Sequence, residues 1–203
     1  MGDLDLSVAL GPLYLGYLRR LDEMASRVPA AALLKESTTR GPLGDLTLGA
    51  DGLPLVFDVA DANTKETFEV HGSTPDAPAI ASGSIGGVQV ALEPGNWEAL
   101  PLEIFFEGRP TDRDLLNLAE LVRAWAVLAS QGAFSALASG PRSSWSGRLH
   151  SIKLAATHDT LSAVLDLGTC PPQALTALIG ALDGVGRDSL SVARVALGGS
   201  AGG

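Results

Sequence analysis

The hydrophobic pattern of the chain changes period at residue 108. From Pro101 to Glu107, Leu102, Ile104 and Phe106 alternate with Glu103, Phe105 and Glu107, which predicts a strand with one buried and one wet face. After a break at residues 108–110 the spacing becomes helical. Leu115, Leu118, Ala119, Val122, Trp125, Ala126 and Ala129 recur three and four apart, and Arg113, Asn117, Glu120 and Arg123 take the other side. Thr111 stands where an N-cap belongs, with Asp114 three residues on as in a capping box. Asp112 and Asp114 lie where the aligned peptide dipoles favour negative charge. Past Arg123 the polar stripe itself turns apolar at Ala124, Val127 and Leu128, so the second half of this helix is expected to be covered nearly all round, by another layer or by a partner. Gly132 weakens the helical pattern and Gly140-Pro141 is expected to end it.

Elsewhere the pattern is shorter-ranged. Leu4, Leu6 and Val8 alternate and predict a short first strand, and Gly11-Pro12 opens a helix along Tyr14, Tyr17, Leu18, Leu21, Met24, Ala25 and Val28 that Pro29 stops. Residues 30–34 are expected to add a helical turn and 35–44 a loop. Leu46 and Leu48, a hairpin turn at Asp51-Gly52, and Leu53, Leu55, Phe57 and Val59 predict two paired strands, followed by another over 65–71. Residues 72–87 are small and almost uncharged and read as a mobile loop. Val88, Val90 and Leu92 form the next strand. Glu93-Pro94-Gly95-Asn96 is expected to turn it, with Gly95 at positive φ, onto Trp97–Glu107 as its partner. A second hairpin is predicted over 148–155 and 161–168. Pro171-Pro172 then opens a helix with Leu175, Leu178, Ile179 and Leu182 on its buried stripe, and residues 190–197 are a last strand.

Counted from Trp97 the order is strand, helix, strand, strand, helix, strand. This is the ferredoxin-like split βαβ arrangement, in which both helices pack on one face of an antiparallel sheet. With a helix and a β-meander before it, the fold class is α+β. Residues 1–197 are expected to form a single domain, divisible into 1–95 and 96–197, with 198–203 as a flexible tail.

Composition narrows the partners. The 203 residues are 46 % apolar, enough to fill a sizeable core, while a net charge of −9 argues against nucleic acid or an anionic membrane surface. The basic residues form no dense cluster, and Cys170 is the only cysteine, which excludes an internal disulfide and fits a reducing compartment. The first residues lack a basic stretch of the signal-peptide kind, and no apolar run reaches the roughly 18–20 residues that span a bilayer, so a cytoplasmic location is expected. Eleven Arg against three Lys, with abundant Ala and Gly, suggests a GC-rich bacterial genome.

Candidate chemistry is sparse. Three histidines and one cysteine occur in no metal-ligand spacing, so no metal or cofactor is expected. Cys170 precedes a helix, where the peptide dipole would favour a thiolate, but a nucleophile would also need His150 or His158 as base, and neither is near in sequence. No serine sits in a nucleophile elbow. The run Ser82-Gly-Ser-Ile-Gly-Gly has glycines enough to cradle a phosphate, without the lysine or the spacing of a nucleotide loop. Glu103 and Glu107 stand about 13 Å apart along their strand, too far to serve one substrate atom. Phe105, on the same wet face and joined there by Trp97, implies a cover: the N-terminal helix, a second subunit or a ligand.

These features favour a non-enzymatic interaction module of the chaperone, adaptor or immunity type, whose partner is another protein or a second copy of itself. In outline the succession of elements is similar to that of small acidic secretion chaperones, a resemblance of element order that carries no motif. Trp97, Phe105, Val127 and Leu128 are its expected contact residues. The alternative class is a small-molecule-binding domain or enzyme with a pocket gated by the 72–87 loop.

Overall fold

A computed structural model describes residues 2–27, 34–38, 56–61, 67–68, 81–137, 147–157, 159–186 and 191–199. The fold is mixed α+β. Strands β1 (Leu34–Thr38), β2 (Val56–Asp61) and β3 (Thr67–Phe68) make a three-stranded antiparallel sheet in that order. Strands β4 (Ala81–Ile85), β5 (Val88–Leu92), β6 (Leu100–Phe106), β7 (Ser151–Ala156), β8 (Thr160–Asp166) and β9 (Val192–Leu197) make a six-stranded sheet in the order β4-β5-β9-β6-β8-β7. The described helices are α1 (Leu6–Ala9), α2 (Gly11–Arg27), α3 (Asp112–Ser130) and α4 (Gln173–Gly186), with a 3-10 turn at Ser135–Leu137.

One face of the large sheet is the core. Val88, Val90, Leu92, Leu100, Leu102, Ile104, Leu161, Ala163, Leu165, Val195 and Leu197 are buried in a single cluster with the inner stripes of all four helices. The register explains why they meet. Leu102 stands opposite Ala163 and Leu197, and Ile104 opposite Leu161 and Val195, so every second residue of each strand points at the helices. Helix α3 starts as its sequence predicts: Asp114 N–H donates to Thr111 Oγ1 at 3.2 Å, and Thr111 N–H donates to an Asp114 carboxylate oxygen at 2.9 Å. Trp125, inside α3, donates its indole N–H to Ala174 O at 2.8 Å and so ties α3 to the start of α4.

Several expectations are corrected. The sheet is mixed rather than antiparallel throughout, because β9 lies between β5 and β6 and runs parallel to β5, with Val90 opposite Val195 and Leu92 opposite Leu197. Strand β5 therefore does not pair with β6. Its alternation is satisfied equally by either neighbour, and residues 93–99 carry the chain past the place that β9 fills. Gly95 does not take positive φ. It is small because a Cβ there would lie 2.9 Å from Leu100 Cδ1 and 3.0 Å from Gly198 Cα. Residues 6–9 are helical rather than extended, since Asp5 accepts the Ser7 N–H at 2.8 Å and Leu6 and Leu10, one turn apart, are both buried. Residues 34–38 form a strand instead of a turn and loop, held by antiparallel pairing to β2. The segment expected to be a mobile loop contributes β4 from its last residues, a two-residue hairpin away from β5.

Helix α3 ends at Ser130, with Gly132 at φ 77°, ten residues before the expected stop. Among the described residues of this chain no further layer covers its second half all round: Val127 packs against the core, but Ala124 is exposed and Leu128 is 51 % exposed. Gly198 and Gly199, assigned to the tail from sequence, are hydrogen-bonded to Pro101 O and Pro94 O at 2.9 and 2.7 Å. The hairpin expected at Asp51-Gly52 and residues 69–80 lie outside the described residues.

Candidate functional site

Two places concentrate the side chains with something to offer. The first is a knot of aromatic and polar groups at the end of the sheet where α2, the 96–99 turn, the start of β7 and the 167–170 turn converge. The indole N–H of Trp97 donates to Gly168 O at 2.7 Å, and Tyr14 lies against the same indole with ring centroids 5.6 Å apart. Tyr17 meets His150 edge to face at 6.3 Å, and the Arg20 guanidinium sits 5.6 Å from the Tyr17 ring while pairing with Glu98 at 3.1 Å. His150 is 1 % exposed. Its Nδ1 is 3.8 Å from Asp166 Oδ1, beyond hydrogen-bond reach, and that same oxygen accepts the Gly168 N–H at 3.1 Å. Gly168 has φ 50°, and a Cβ on it would run into the His150 imidazole. Only a glycine lets the turn pass under the histidine while handing its carbonyl to Trp97.

The chemistry available here is limited by burial. Trp97, His150, Thr169 and Cys170 are all enclosed, leaving Asp166 and the Arg20–Glu98 pair in partial contact with water. Cys170 lies three residues before α4 and is fully buried, its N–H bonded to Leu167 O. A substrate in solution reaches neither the thiol nor the imidazole in this conformation, so the knot reads as the staple that holds α2 on the sheet. His158 lies outside the described residues. Among the described residues, no group of three or more His, Cys, Asp and Glu side chains could hold a metal ion. No described helix is long and apolar enough to cross a membrane.

The glycine run 82–87 also has an internal explanation. Gly86, at φ 61°, and Gly87 form the β4–β5 turn, and a Cβ on either would lie 2.7 Å from a carboxylate oxygen of Asp183, near the end of α4. The chain's own carboxylate lies against the turn that sequence reasoning weighed for a phosphate.

The second place is the face of the large sheet turned away from the helices. Gln89, Arg194, Phe105 and Thr160 stand in one row across four strands, and Ser82, Ala91, Ala196, Glu103, Ser162 and Ala155 in the next. Pro101, Val164 and Lys153 make a third. Phe105 is half-buried, and the Arg194 guanidinium covers its ring at 4.4 Å from the centroid. That is a cation–π contact at a solvent-facing site. Sequence reasoning located Phe105 on this face but could not see that Arg194, 89 positions later, would supply cover.

The four residues expected to make contacts are therefore not brought together. Trp97 is 1 % exposed and belongs to the knot, so it does not join Phe105. Val127 packs inward, whereas Phe105 and Leu128 face water on different elements. Arg194 is the residue that sequence reasoning missed, and its signal was a lone charge in an otherwise apolar last strand, Val-Ala-Arg-Val-Ala-Leu. No protein-family model, curated protein or solved structure matches this chain.

Proposed function

We propose that this protein is a non-enzymatic interaction module that contacts another protein, or a second copy of itself, through the helix-free face of the six-stranded sheet. The observation that carries the reading is Phe105. It is an aromatic ring whose neighbouring row on this face carries Ala91, Ala196 and Ser162, flanked by Arg194 and Glu103 as polar anchors. A flat shelf of small side chains around an aromatic–arginine pair matches the composition of contact surfaces, where aromatic residues and Arg are enriched at the centre. Leu128, on the outer stripe of α3, is the secondary contact. The ferredoxin-like relation belongs to the same proposal: the spatial order β9-β6-β8-β7, each pair antiparallel, supports taking residues 100–197 as a split βαβ unit to which the β4–β5 hairpin is added. A bacterial, cytoplasmic setting is part of it as well.

Native mass spectrometry with size-exclusion chromatography, followed by pull-down, tests this on the intact chain and on Phe105→Glu. The expected outcome is a dimer or a co-purifying protein that the substitution removes. Retention of the same assembly by Phe105→Glu, or recovery of a bound metabolite in place of a protein, sinks the proposal.

A further inference from the structure

The two edge strands of the large sheet are guarded by different means. At β7, Lys153 stands exposed in mid-strand, a charge that an added strand would have to desolvate. At the other edge β4 reads Ala-Ser-Gly-Ser-Ile, with neither charge nor proline. Such a strand is a template for pairing unless something covers it. Here residues 2–4 do so. Leu4 N–H donates to Ser84 O at 3.0 Å and Ser84 N–H donates to Gly2 O at 3.2 Å, a parallel bridge with Asp3 opposite Ser84. Gly83 is what admits this strap, because a Cβ there would lie 2.7 Å from Leu4 Cβ and 2.8 Å from Gly2 O. The strap is short but anchored, with the Leu4 side chain against the core and Asp5 capping α1.

We propose that residues 2–4 are an edge guard, and that withdrawing them turns β4 into a docking strand for a second copy of this chain. The geometry of β4 suits a two-fold pair. The strap shows that the N–H and C=O of Ser84 point outward, and strand alternation gives Ser82 the same direction. Two antiparallel copies then pair Ser82 of each with Ser84 of the other, and residue 83 meets its own copy at the axis as a non-hydrogen-bonded pair, where a small side chain stands on the sheet face and not between the backbones. The two six-stranded sheets become continuous. The inference concerns the sheet edge and stands independently of the Phe105 face.

The test compares the intact chain with two variants by native mass spectrometry and sedimentation. One lacks residues 1–4. The other is Gly83→Ala, which keeps the whole chain and displaces the strap by its Cβ, so it carries the test should the truncated chain fail to fold. The expected result is a doubling of mass relative to the intact chain, abolished when Ser82→Lys is added and unaffected by Phe105→Glu. An unchanged mass in Gly83→Ala, or a doubling that survives Ser82→Lys, overturns the proposal.

Discussion

Ile104 and Phe105 are adjacent in β6 and differ in almost everything that follows from position. Ile104 points into the helix-covered core, boxed by Leu161 and Val195, and is 1 % exposed. Phe105 points the other way, between Thr160 and Arg194, and is half-buried beneath a guanidinium. The covered face is built from Leu, Ile and Val in close packing. The other face mixes Ala, Ser, Thr, Gln, Glu, Arg and Lys with one aromatic, a half-buried Val164 and a buried Pro101, and its charges are ones that a core would not tolerate and that a contact surface can use. Shape and burial, not hydrophobicity alone, separate what holds this molecule together from what it presents.

The largest effect should come from the knot at the end of the covered face. Trp97→Ala removes a buried indole together with its bond to Gly168 O, and is expected to cost about 4 kcal/mol in denaturant unfolding; a loss smaller than that of a surface substitution would show that the knot is not structural. Gly168→Ala should follow at about 3 kcal/mol, from an unfavourable φ and a collision with His150. A stable variant in which only the Tyr17–His150 ring contact shifts would contradict that account. The direct test of the two faces is the neighbouring pair: Ile104→Ala should cost about 3 kcal/mol, and Phe105→Ala less, about 1.5 kcal/mol, because its ring keeps some contact with water and has no helix packed on it. Equal costs would mean that the open face is core after all.

The smallest effect concerns the rim of the covering layer. Thr111→Ala should cost about 1 kcal/mol through loss of the α3 cap. It also carries a pH signature. The Asp114 carboxyl is held below its ordinary value, first by the Thr111 hydroxyl and then by the Thr111 N–H. A depressed carboxylate stabilises the fold fully above its unfolded value, and the contribution fades as pH falls through the lowered one. The difference in melting temperature between the native chain and Thr111→Ala should therefore be greatest near neutral pH and shrink in acid. A difference that grows in acid would rule out this carboxylate as its source.

Local signals were legible wherever a residue answers to its near neighbours. Thr111 and Asp114 meet within one helical turn, and the stripes of α3 and α4 need only a period, so both helices could be placed from sequence. The β7–β8 hairpin is short enough for the same reason. Leu6 and Val8 misled because their spacing suits a strand as well as a helix, and the deciding influence was the burial of Leu6 with Leu10. Leu34–Thr38 gave no strand signal of its own and takes its form from pairing with β2. Strand alternation puts Trp97 on the wet face beside Phe105, and fails there because Trp97 sits in a turn whose direction depends on where residues 167–170 pass.

By itself the order of residues determined the longer helices and the strands from β5 onward, the alternation that gives those strands one apolar side, and the scarcity of reactive groups. It left open which strand lies beside which, since alternation records that a neighbour exists and not its identity. Only the tertiary structure decided that β9 separates β5 from β6, that Arg194 comes to rest on Phe105, and that Leu4 closes over Gly83. Each of these contacts joins residues far apart in the chain, and it is the shared burial of the surrounding core, not any local preference, that brings them together.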